Sequence, residues 1–177
     1  MSGSVLLLRA VNVSGRNRVP MAELRELLTA SGTLQGVSTY IASGNIVCEH
    51  PSDPAAATAR VRALIHDEFG VDTPVIHRTH EALVAALESQ PFVDPIDKLL
   101  HAMFLEGEPR SGAVEALRER LVPGEQIELV GHDLWINYGE TGVHASKLTK
   151  AVLDRALGVA GTARNLRTTR KLAELTA

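Results

Sequence analysis

A hydrophobic share of 45% over 177 residues excludes disorder as the default and is enough for one good core or two small ones. Only 3% of the residues are aromatic, so the core must come from Leu, Val, Ile and Ala. The net charge of -3 excludes a uniformly basic nucleic-acid surface, and no apolar run approaches the roughly 18 residues of a membrane span.

The chain opens on VLLLRAVNVSGRNRVP, Val5 to Pro20. The apolar run Val5–Leu8 reads as a buried strand. Pro20 starts a helix, MAELRELLTAS, that stops at Gly32. The connection from Arg9 to Val19 is longer than the roughly two to six residues usual between strand and helix. It is also dense in donors: Arg9, Asn12, Ser14, Arg16, Asn17 and Arg18. Guanidinium forks, Asn amides and helix-start N–H groups could together cradle an anion. The plainer reading is an Ω-like loop tied down by its own Asn side chains.

Two β-rich runs follow, GVSTYIAS and NIVCEH, joined through Ser43-Gly44-Asn45 as a tight hairpin. Cys48, the single cysteine, can make no internal disulfide and reads as a buried small hydrophobe. Asp53 caps and Pro54 starts a second helix, ended by Gly70. VDTPVIHR is a fourth strand, placed at a sheet edge by Pro74. Strand, helix, strand, strand, helix, strand is the split βαβ order of a ferredoxin-like unit. Thr79 can cap a third helix, HEALVAALES, after which QPFVDPIDK breaks the periodicity and marks a boundary.

Beyond it, LLHAMFLEG reads as a strand, Ser111 caps GAVEALRERL, and QIELV and DLWINY form a hairpin. Ser146 caps a helix that stops at Gly158. The element order repeats although residue identity does not, with Val159 to Ala163 supplying a short final strand. The expected fold is therefore α+β: two ferredoxin-like halves in tandem, 1–90 and 97–177, plus a C-terminal helix from about Asn165 to Leu175. That helix gathers Leu166, Thr169, Leu172 and Ala173 on one side and Arg164, Arg167, Arg170 and Lys171 on the other. From Ser146 onward seven positive residues stand against two negative ones, Asp154 and Glu174.

The stretches LLRAVNVSGRNRVPMAELRELL, TYIASGNIV and GTARNLRTTRKLAEL together resemble the bacterial family called domain of unknown function 1697, over nearly the whole chain. That family's opening pattern is R-G-I-N-V-G-G. Arg9, Asn12, Val13 and Gly15 match it, while Ala10 and Ser14 stand where glycine is usual. Ser146 to Thr149 matches a further S-K-L-T segment, and Leu166 replaces the tryptophan of T-A-R-N-W. The resemblance implies ferredoxin-like halves in a cytoplasmic bacterial protein and brings no assigned activity.

Ser146, Lys147 and Thr149 at one helix start, and Arg164 and Asn165 at another, offer the hydroxyl, cation and amide donors that suit phosphate. The first expectation is a small anionic, nucleotide- or phosphate-like ligand, held between the halves by Arg9, Asn12, Arg16, Asn17, Ser146, Lys147, Thr149, Arg164 and Asn165. An enzyme acting on such a ligand is the alternative, in which Arg and Lys stabilise developing charge. It has no visible base, and no cofactor is indicated. Nucleic acid bound through the basic last helix ranks third, and no membrane partner is expected. There is no P-loop pattern, and the seven histidines show no metal-ligand spacing, since His77 and His80 straddle a strand-to-helix transition.

Overall fold

The computed structural model describes residues 2–177 of the chain. By internal contacts it divides into two compact units, one made of the chain up to Val84 together with Lys171–Ala177, the other of Ala85–Arg170. The last helix thus gives its C-terminal part to the first unit, a feature absent from the sequence expectation.

In the first unit the elements run β1 (Gly3–Leu8), α1 (Met21–Ser31), β2 (Ser38–Tyr40), β3 (Asn45–Glu49), α2 (Pro54–Phe69), β4 (Val75–Thr79) and α3 (His80–Glu88), which crosses into the second. The sheet order is β2-β3-β1-β4, with every pair antiparallel. This is the ferredoxin-like arrangement, with β1 interior and β4 at an edge, as Pro74 required. Leu6, Leu8, Ile46 and Cys48 on one sheet face pack with Leu24 and Leu28 of α1 and Val61 and Ile65 of α2. Val5, Leu7 and Ile76 on the opposite face are buried as well. Burial on both faces is why β1 reads as an unbroken apolar run instead of an alternation.

The second unit repeats the order: β5 (Leu100–Leu105), α4 (Ala113–Arg118), β6 (Gln126–Val130), β7 (Asp133–Asn137), α5 (Lys150–Leu157), β8 (Gly161–Asn165) and α6 (Leu166–Leu175). Its sheet order, β6-β7-β5-β8, is the same and again antiparallel. Met103, Leu105, Ile127, Leu134 and Ile136 pack with Leu117 of α4 and Leu153 and Leu157 of α5. Trp135 lies on the other face of β7, fully buried. No helix among the described residues is long and apolar enough to cross a membrane.

Local details depart from the sequence reading in four places. The strand expected over GVSTYIAS stops at Tyr40, where Ile41 enters the left-handed region at φ 48°. Helix α4 has Gly112, not Ser111, at its N-cap position, and no side chain caps it. Helix α5 is capped by Thr149, whose Oγ1 accepts from Val152 N, whereas Ser146 Oγ accepts from Leu148 N in the preceding turn. Thr162 to Arg164 do not open the last helix but lie in β8, paired with β5, and only Asn165 stands at the helix start.

Candidate functional site

The donor-rich loop between β1 and α1 is a miniature hairpin. Asn12 N donates to Asn17 O and Arg16 N to Val13 O, and Ser14 and Gly15 at its tip have φ of 50° and 74°. Two central residues at positive φ are the pattern of a type I′ turn. Ala10, Asn12 and Asn17 also sit at positive φ, at 52°, 54° and 49°. For a residue with a Cβ that conformation costs about 1–2 kcal/mol, so the loop holds its shape against local preference.

What holds it is mainly asparagine. Asn12 Nδ2 donates to Val19 O at 2.9 Å and to Ala42 O at 2.8 Å, while Oδ1 accepts from Val19 N at 2.8 Å. Asn17 Nδ2 donates to Ala10 O at 3.0 Å. Thr73 exchanges two bonds with the backbone of Arg9, accepting from Arg9 N and donating to Arg9 O. The asparagines expected at a ligand are thus committed to the loop's own backbone. Their spacing revealed the loop; only the coordinates show that they pin it.

The bond to Ala42 O joins this loop to the β2–β3 turn. That turn is set by Gly44, φ 86°, where an added Cβ would stand 2.7 Å from Leu8 Cβ and 2.8 Å from Val11 Cγ2. Together the two segments form a shallow cleft of about 460 Å³ lined by Asn12, Arg18, Val19, Pro20, Met21, Ile41 and Ala42. Pro20 and Met21 bring the N-terminus of α1 to its wall, and no side chain caps that helix end. Val13 is 54% exposed and Ile41 48%. Arg16 and Arg18 are exposed and make no ion pair among the described residues. Arg18 belongs to the donor-rich loop whose composition suits an anion cradle, whereas nothing in the sequence marks Ile41 and Ala42.

The remaining expected residues lie in the second unit. Lys147 is exposed. Ser146 and Thr149 make the local backbone bonds described above. Arg164, expected on the polar side of the last helix, is instead in β8 and only 7% exposed. Its Nη1 donates to Thr162 Oγ1 at 2.8 Å and to Ala163 O at 2.9 Å, and burial pulls its pKa down to about 10. Asn165 Oδ1 accepts from Thr168 N and so caps α6. The basic face of α6 is largely neutralised: Arg170 Nη1 meets Asp97 Oδ1 at 2.7 Å and Lys171 Nζ meets Glu174 Oε2 at 2.9 Å.

Histidines and the cysteine take other roles. His50 Nδ1 lies 2.9 Å from Ser4 Oγ, and its ring stands 5.4 Å from that of His77. His80 Nδ1 meets Ala173 O at 3.0 Å. Cys48 is buried, and burial followed by the neighbouring Glu49 pushes its thiol up to about 11, far from a reactive thiolate.

A family model described as a protein of unknown function, DUF1697, matches residues 1–135. The chain belongs to that family. Its fold is also that of a solved structure, the conserved bacterial protein SP0830 from Streptococcus pneumoniae, at 24% identity, a TM-score of 0.77 and 99% coverage of both chains. No curated protein matches the chain. Ala10 and Ser14, where the resemblance leads one to expect glycine, both adopt the left-handed conformation that glycine takes without strain.

Proposed function

We propose that this DUF1697 protein binds a small anionic, phosphate-like ligand, with the β1–α1 loop as its grip. The observation that carries the reading is the division of labour in that loop. Asn12 and Asn17 fix the backbone, which leaves Arg16 and Arg18 exposed on a preorganised frame beside a cleft closed by the start of α1. Preorganisation lowers the entropic cost of binding, and arginine forks match phosphate and carboxylate oxygens. The reading is one of binding: the cleft brings together donors and apolar carbons, and none of its lining residues is a general base.

Calorimetric titration with nucleotides and sugar phosphates at low and high salt tests this. Wild type should bind at least one of them in a salt-sensitive way. Arg16→Ala with Arg18→Ala should weaken that binding by roughly a hundredfold, two charge-assisted bonds at about 1.5 kcal/mol each. Absence of any anion binding by wild type, or equal binding by the double variant, overturns the reading.

A further inference from the structure

Between α4 and α5 of the second unit runs a groove of about 420 Å³, separate from the loop cleft. Its floor includes Ala116 and Val152; its rim carries Arg110, Arg120 and Arg155 against a single acid, Glu119. Three other exposed arginines are neutralised, Arg62 by Asp72, Arg118 by Glu128 and Arg170 by Asp97. Among the described residues none of the three rim arginines makes an ion pair, although the chain has 21 acidic residues for 18 basic ones. Three like charges around one small volume repel each other unless an anion joins them.

Arg110 is also held in place. Its backbone N donates to Leu157 O at 2.8 Å, and its guanidinium lies against Gly158, where an added Cβ would stand 3.1 Å from Nη2. Its Nη1 reaches Arg155 O only at 3.5 Å, which leaves most of its donor fork available. The volume falls within the range of about 300–1,000 Å³ typical of small-molecule sites. Helix α4, with 6 residues, rises only about 9 Å, too short a wall to seat a partner helix. A single phosphate presents several oxygens to several forks at once, and the apolar floor suits a compact organic body.

We propose that the α4–α5 groove is a binding site for a small organic phosphate, its charged end gripped by Arg110, Arg120 and Arg155 and its apolar body laid over Ala116 and Val152.

The test uses phenyl phosphate as the probe, with inorganic phosphate and benzyl alcohol as partial probes, in an amide NMR titration of the full chain. Phenyl phosphate should shift the amides of Ala116, Val152 and Ala156 at millimolar concentration, and each partial probe should bind at least tenfold more weakly. Arg155→Gln should weaken phenyl phosphate about tenfold. Ala116→Phe, which fills the groove at an exposed position and keeps every charge, should also abolish those shifts. Arg18→Ala should leave them untouched, which separates this site from the loop cleft. Unshifted groove amides in wild type, binding retained by Ala116→Phe in a protein that melts normally, or preference for a poly-glutamate peptide over phenyl phosphate would each overturn the proposal.

Discussion

Asn12 ties three backbone groups on two segments with one side chain, and it does so from a left-handed backbone that alanine adopts only at a cost. Asn12→Ala should therefore lower stability by about 2–4 kcal/mol in urea denaturation. Asn12→Asp keeps the acceptor for Val19 N but turns a carboxylate oxygen toward Val19 O and Ala42 O, so it should destabilise at least as much as Asn12→Ala. Ala10→Gly and Ser14→Gly should act in the other direction. Removing the Cβ penalty of about 1–2 kcal/mol outweighs the roughly 0.5–1 kcal/mol of extra glycine entropy, for a net gain of about 0.5–1 kcal/mol each. A loss of stability at both sites would mean that the side chains, and not the backbone, set the loop. These positions were legible in the sequence because the resemblance marked them as glycine sites. Ile41 was not legible. Its β-branched side chain argues for continuing the strand, and only the distant bond from Asn12 to Ala42 O and the close approach of Gly44 to Leu8 turn the chain there.

Among the elements, strand and helix order were readable wherever apolar periodicity was strong and a proline or glycine punctuated it, as at Pro54, Gly70 and Gly158. The strand expected over Val159–Ala163 runs instead over Gly161–Asn165. Arg164 and Asn165 carry little strand signal of their own, and the end of β8 exists because it pairs with β5, some sixty residues earlier, through Ala102↔Arg164 and His101↔Asn165. That pairing takes Arg164 off the helix surface where its spacing had placed it. Helix α6 also serves differently from expectation: Leu172 and Ala173 are buried, and they belong to the unit that begins the chain. There Thr176 O accepts from Gly3 N at 2.7 Å and Ala173 O meets His80 Nδ1. Deleting Lys171–Ala177 should lower the melting temperature of the first unit, since Leu172 alone is worth about 1.5–3 kcal/mol. Near-ultraviolet signals from Trp135, which report on the second unit, should survive the deletion. An unchanged melt would show that the tail does not support β1.

At the scale of the whole molecule each unit carries one buried acid that holds its proton unusually tightly. Cys48 in the first is raised to about 11, by burial and then Glu49, and Tyr138 in the second to about 12, by burial and then Glu125. In both cases the folded state keeps a proton that the unfolded chain releases at its ordinary pKa of about 9 for cysteine and 10 for tyrosine. Stability is therefore full below pH about 9 and falls as pH rises toward 11 and 12. Urea titrations between pH 8 and 11 should show that decline, and Cys48→Ala should flatten its lower part. The two units differ more in how their chain is supplied. The second is one continuous stretch, Ala85–Arg170, whereas the first needs the last seven residues to finish its packing against β1. A chain emerging from the ribosome N-terminus first would ordinarily complete its leading domain first. Here that order is reversed: the second unit has all of its residues before the first does, and Gly3 of β1 must wait until Thr176 has been made to receive that backbone partner.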